Sequence, residues 1–266
     1  MIDYSAPGPL TSLRADQVRL TERLPLDALG ICKAVQSLVI QPYDAPAAGI
    51  PEERLAERNL RSAAALVDAL IAVDPSSLEH PRTAERRVVG SCRHFATLAT
   101  ALLRLRGIPA RARCGFGTYF VPGKNVDHWI VEYRSAESDR WVRVDVEHLD
   151  RDWPATLDDL QPGEFLTGGE AWQWYRTGAV SGDLFGVLGF DHAWGAGEIR
   201  ANAIRDLAAL NKLEFLPWDE WSRMEESFEN KAVPEFDSLI DEIATTDNPE
   251  ALYRTPALTA PAHLIN

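Results

Sequence analysis

Hydrophobic and polar positions along the chain change period three times. Residues 1 to about 80 follow a helical rhythm. Leu29, Cys32, Val35, Leu38 and Val39 recur at helix spacing within 26–40, and Pro42 ends that segment. A second helix is expected to start at Pro51-Glu52-Glu53, with Pro and acids suited to a first turn, and to run through Leu60, Ala64, Val67, Leu70 and Ile71 to Asp74-Pro75. No catalytic residue types cluster in this stretch, so it reads as scaffold. A helix over Cys92–Arg106 follows, with Phe95, Leu98, Ala99, Leu102 and Leu103 facing inward and Gly107 and Pro109 as stop signals. The period then drops to two. Strand-like runs at Ala110–Phe120, His128–Tyr133 and Trp141–Val146 are separated by turn signals at Pro122–Asn125 and Ser135–Arg140. A helix followed by an antiparallel meander predicts an α+β core.

Beyond residue 150 the pattern is mixed. Helices are expected over Glu198–Leu210 and Phe236–Ala244, aromatics gather at Trp172, Trp174 and Tyr175 and at Trp218 and Trp221, and the last dozen residues read as irregular. The expected division is a helical scaffold at 1–80, a catalytic core at 81–150 and a largely helical region at 151–266, together forming one compact unit.

Composition narrows the partners. At 45% hydrophobic and 25% charged residues, the 266-residue chain has a globular make-up. Its net charge of −13 repels nucleic acid and anionic membranes, so neither is an expected partner. The acids concentrated after position 214, such as Asp219-Glu220 and Glu225-Glu226, read as solvated surface. The N-terminus lacks a signal-peptide pattern and no apolar run is long enough to span a membrane, so a cytoplasmic location is expected. Three cysteines without a CxxC pair argue against a disulfide framework and against structural zinc.

Cys92 carries the strongest chemistry. At the start of a helix, unpaired N–H groups and the positive end of the macrodipole lower a thiol's pKa and can hold an oxyanion. Gly90 just before it lets the chain turn sharply and a substrate approach the backbone. His128 opens one strand and Asp145 ends the next. Neighbouring strands place both on one face, so the carboxylate orients the imidazole and the imidazole takes the thiol proton. Asp145 also sits between Val144 and Val146, where a carboxylate needs a partner.

Three ordered motifs resemble the transglutaminase-like superfamily: Gly90-Ser-Cys92 running into Gly107-Ile-Pro-Ala-Arg111, Asp127-His128-Trp129, and Trp141-Val-Arg-Val-Asp145. The resemblance covers about 60 residues. It implies a papain-like Cys92–His128–Asp145 triad, no required cofactor, and amide or acyl chemistry through a thioester. Hydrolysis and transfer to an amine both stay open. Where many members follow the aspartate with Pro-Thr, this chain has Val146-Glu147. Arg113, His94, Tyr119 and Trp129 are the candidate substrate contacts, Arg113 as a partner for a substrate carboxylate and His94 as a pocket wall. Arg93 is placed with His94, and Arg111 is expected in a structural ion pair. Cys32 and Cys114 are expected in the core. Glu147, His148, Asp150 and Asp152 match no compact metal motif and read as a solvated loop, so no metal is expected. His192, in a second Asp-His pair, ranks below His128. The expected substrate is a small molecule or peptide. The alternatives are a non-catalytic binding module on the same fold and an amide-forming acyltransferase that uses a carrier-bound acyl group.

Overall fold

The computed structural model describes residues 2–228 and 234–265. The N-terminal region supplies α1 (Ala15–Arg19), α2 (Ala28–Gln36), the short strand β1 (Val39–Ile40) and α3 (Ala63–Val73). Asp27 caps α2 by accepting the Gly30 N–H, and Ser62 caps α3 by accepting that of Ala65.

Two expectations for this region are corrected. The first helix stops at Gln36, because β-branched Val39 and Ile40 pair in parallel with β2 (Val88–Val89) instead of continuing it. The second helix is two pieces, a 3-10 segment over Glu52–Asn59 and α3. The break between them frees carbonyl groups. Leu60 O lies 3.1 Å from His94 Nε2, and Arg61 O accepts Arg93 Nη2.

The sheet is antiparallel at its centre. After α4 (Cys92–Leu105), Gly107 takes the left-handed conformation that ends the helix. Strands β3 (Ala110–Gly117), β4 (Asn125–Ser135) and β5 (Arg140–Val144) then form the meander, in a register that pairs Cys114 with Trp129 and Val131 with Val144. Strand β6 (Phe165–Thr167) joins the free edge of β3 and leads into α5 (Gly168–Arg176), while β7 (Phe185–Gly186) pairs in parallel with the start of β4. The fold is therefore α+β, with strand order β5-β4-β3-β6.

The remainder is helical: α6 (Ala196–Leu210), α7 (Met224–Phe228), α8 (Pro234–Thr245) and α9 (Pro249–Tyr253). No described helix is long and apolar enough to cross a membrane.

Two large apolar cores fill the interior. One joins α2, α3 and α4 to Val131 and Val144, and the other joins Phe116, Trp172, Phe185, Ile204, Phe215 and Phe236. Trp172 is thus core, whereas Trp174 and Trp218 are exposed.

The final residues are irregular, as expected, apart from a 3-10 turn over Ala262–Leu264, but they are packed rather than frayed. Leu258 and Leu264 are buried, and Trp221 Nε1 donates to Leu258 O at 2.9 Å. Nor is all of the late acidity solvated. Asp219 is buried and accepts both terminal nitrogens of Arg61, at 2.5 and 2.8 Å. Glu220 and Glu225 are exposed, and the Glu226 side chain lies outside the described residues.

A buried ionic network locks the sheet to the helices. Glu132 accepts Arg111 Nε at 2.6 Å, Arg113 Nη1 at 2.9 Å and Arg143 Nε at 2.9 Å. Arg113 also grips Asp206 of α6 through two nitrogens, and Arg143 reaches Glu170 of α5. Burial would push the Glu132 carboxyl up, but the three guanidinium charges outweigh it and hold it at about 2.

A lowered carboxyl stabilises the fold above its unfolded value and loses that contribution as pH falls. Stability should therefore decline between about pH 4.5 and about pH 2 as Glu132 takes up its proton. Glu132→Gln at neutral pH should cost about 3–5 kcal/mol, read as a lowered urea midpoint, because three arginines lose their shared charge. An unchanged midpoint would show that the network adds nothing.

Candidate active site

Cys92 is the first residue of α4 and is 8% exposed. Its sulfur, a ring nitrogen of His128 and a carboxylate oxygen of Glu147 all lie within 4.8 Å of one another. Behind His128, Nε2 lies 3.1 Å from Asp145 Oδ1. That contact is of ion-pair length, although its alignment falls short of a hydrogen bond. The three residues singled out by the motifs are therefore brought together.

Strand geometry accounts for the placement. His128 pairs with Gly115 near the start of β4, and Asp145 follows the Val131–Val144 pair by one residue, on the same pleat face as His128 and Ile130.

Asp145 is wholly buried. Its Oδ2 accepts the Tyr119 hydroxyl at 2.7 Å and lies 3.0 Å from His148 Nδ1. Its Oδ1 accepts the backbone N–H groups of Glu147 at 3.1 Å and His148 at 3.3 Å. Burial alone would raise this carboxyl, but the two imidazoles outweigh it and hold the group well below the usual carboxylate range. His128 shows the mirror image. Burial would lower it, yet the Asp145 charge raises it well above an ordinary histidine, with Cys92 adding to the effect. The thiol of Cys92 departs from expectation. Burial pushes it up, His128 pulls it down, and the charges of Glu147 and Asp127 add to the rise. Ionisation of this thiol therefore leans on His128.

An aromatic roof covers the pair of imidazoles. The Phe120 ring lies 5.0 Å from His128 and 5.2 Å from His148, centroid to centroid. Below, Cys92 packs with Ala96, Ala112, Cys114, Trp129 and Ala209.

The remaining candidates take other places. Arg113 is not a substrate anchor, because its guanidinium is consumed by Asp206 and Glu132 inside the network. Arg111 pairs with Glu132, as expected. His94 is fully buried rather than part of a pocket wall: Ser91 N–H donates to its Nδ1 at 3.0 Å, and burial lowers it to about 3. Gly90 makes room for that ring. A Cβ there would come within 2.7 Å of the His94 side chain, so the missing side chain serves packing rather than substrate approach. Arg93 is likewise buried, with Nε donating to Glu214 O at 2.7 Å. Tyr119 serves Asp145 directly, and Trp129 is 1% exposed with an indole N–H that has no partner among the described residues. Cys32 and Cys114 are buried, and burial drives Cys32 to about 12 and Cys114 well above an ordinary thiol. His192, Asp150 and Asp152 are exposed.

Glu147 and His148 correct the solvated-loop expectation most sharply. Both belong to the site, with side chains 6% and 12% exposed. Gln41 Nε2 donates to Glu147 Oε1 at 2.7 Å, so the N-terminal region also reaches the site. The available signal is the turn after β5: an aspartate at a strand end takes the next N–H groups into an Asx turn and folds the following side chains back beside it. A cleft of about 70 Å³ lined by Gln36, Gln41, Tyr43, Glu147 and His148 lies here. Neither this cleft nor a larger cavity of about 370 Å³, against Trp141, Arg143, Glu170 and Trp174, is lined by Cys92, His128 or Asp145.

Asp145→Asn removes the charge that holds the proton on His128. NMR titration of the ring nitrogens should then show His128 deprotonating at lower pH than in the unaltered protein. A titration that does not move, or moves upward, would contradict the electrostatics described above.

Residues 56–146 match the family model of the transglutaminase-like superfamily. No curated protein matches the chain. Among solved structures, the chain is similar to a "Putative Cysteine Protease from Cytophaga hutchinsonii", at 17% identity and a TM-score of 0.39, over 62% of this chain and 44% of that one. The chain thus covers less than half the length of that protein. Residues 56–146, which include Cys92, His128 and Asp145, are a domain of the transglutaminase-like superfamily.

Proposed function

We propose that the protein is a cysteine-dependent enzyme that cleaves or exchanges an amide or related acyl bond through a thioester on Cys92. The observation that carries this reading is the chain of contacts from thiol to imidazole to buried carboxylate: Cys92 sulfur and His128 nitrogen within 4.8 Å, and His128 Nε2 3.1 Å from Asp145. With Nε2 turned to Asp145, Nδ1 is the nitrogen left for the thiol.

In the proposed cycle, His128 takes the thiol proton and the Asp145 charge stabilises the imidazolium. The thiolate attacks the carbonyl carbon, and first-turn N–H groups of α4 stabilise the oxyanion. The carbon–nitrogen bond breaks, and His128 gives its proton to the departing amine. Water or a second amine then attacks the thioester and passes a proton to His128, and Cys92 leaves as the thiolate. Tyr119 and His148 act through Asp145 as positioning residues. The 8% exposure of Cys92 favours a slender acyl chain, from a small molecule or peptide, over a bulky protein surface.

The test uses an activated ester, p-nitrophenyl acetate. Acetylation should appear on Cys92 by mass spectrometry, and Cys92→Ala should abolish it. His128→Ala should slow it by about 10²–10⁴-fold, the usual worth of a positioned base. Release of the acetyl group in the presence and absence of a primary amine separates transfer from hydrolysis. If Cys32 or Cys114 acylates at least as fast as Cys92, the reading fails and a non-catalytic role for the fold is favoured.

A further inference from the structure

We propose that Cys92, His128 and Glu147 form a site for a thiophilic divalent cation of the zinc class, and that a bound cation holds the nucleophile out of use. The inference goes beyond the acyl chemistry above but shares two of its residues.

Glu147 is the starting point, because for thiol chemistry alone it is badly placed. A carboxylate beside a nucleophilic sulfur opposes ionisation of that sulfur, and here the two groups lie within 4.8 Å. The side chain is nonetheless held in position. Oε1 accepts Gln41 Nε2 at 2.7 Å and the Tyr43 hydroxyl at 3.4 Å, and His148 Nε2 lies 3.4 Å away. Its other oxygen, Oε2, is buried and has no hydrogen-bond partner among the described residues. A positioned but unsatisfied carboxylate oxygen in a side chain 6% exposed calls for a partner, and a cation supplies one.

The donor set matches that partner. A sulfur, an imidazole nitrogen and a carboxylate oxygen are the three ligand types zinc takes. Here they lie within 4.8 Å of one another. Bond lengths near 2.0–2.3 Å place neighbouring tetrahedral ligands roughly 3.5 Å apart, so about one ångström of closure completes the site. Asp145 supplies the supporting contact. A carboxylate on the far nitrogen of a metal-binding histidine fixes the tautomer and directs the near nitrogen at the metal, and Asp145 occupies that position behind His128 Nε2. The charges of Glu147 and the Cys92 thiolate, unfavourable to each other, both become favourable toward a dication. Binding uses the sulfur lone pair that would attack a carbonyl and releases the thiol proton to water, so occupancy and acylation exclude each other.

The test titrates the full chain, reduced and free of chelator, with zinc or cadmium alone. One equivalent should bind by calorimetry. Cadmium should produce a thiolate charge-transfer absorbance in the near ultraviolet, and the bound metal should protect Cys92 from iodoacetamide. Cys92→Ala should lose the absorbance. Glu147→Gln should weaken binding at least tenfold while its circular dichroism and urea midpoint stay those of the unaltered protein, which reports that the variant is folded. Absence of the absorbance in the unaltered protein, or equal affinity in Glu147→Gln, would overturn the inference. Acylation by the ester is measured without metal. A protein that acylates on Cys92 but binds no cadmium therefore refutes this inference alone, and one that binds cadmium through Cys92 but is inert to the ester upholds it while refuting the enzymatic reading.

Discussion

A carboxylate removed from water has to be surrounded by donors, and the site is organised by how the chain meets that demand at Asp145. Five groups converge on its two oxygens: the Tyr119 hydroxyl, the imidazoles of His128 and His148, and the N–H groups of Glu147 and His148. They come from the β3–β4 loop, the start of β4 and the turn after β5. Satisfying one charge therefore fixes three segments relative to one another. It also holds His128 facing Cys92 and gives that histidine an unusual grip on its proton.

The nucleophile is held by different means. All but the last residue of α4 are buried, and polar side chains tie both ends of the helix to distant parts of the chain. Arg93 binds the carbonyl groups of Arg61 and Glu214, while Arg104 donates to Thr11 and Ala110 near the other end. Glu132 and its three arginines brace the sheet on which the partner histidine rides. The helix carrying the thiol and the strand carrying the base are thus anchored by different polar contacts, and they also pack against each other through Val131 in a shared apolar core.

The local part of this arrangement was legible in the sequence. Helix period, the Gly107 stop and strict alternation before Asp145 are signals of short range, and they placed Cys92, His128 and Asp145 on the right elements. What escaped notice is what depends on contacts between distant segments. Arg113 looked free for a ligand because neither Glu132 nor Asp206 stands near enough in the chain to announce itself. His94 has the look of a pocket residue because the carbonyl of Leu60 that receives it lies in the distant break between the 3-10 segment and α3. Glu147 and His148 resembled a solvated loop because a polar run after a strand usually is one, and only the buried Asp145 makes those residues fold back.

A thiol mounted on a helix embedded on all sides has little freedom to travel toward its target. Its surroundings are set by other segments: Phe120 of the β3–β4 loop and His148 of the turn after β5 lie against the neighbouring His128. The helix and the buried charge are thus held by the body of the fold, whereas the residues around them come from loops.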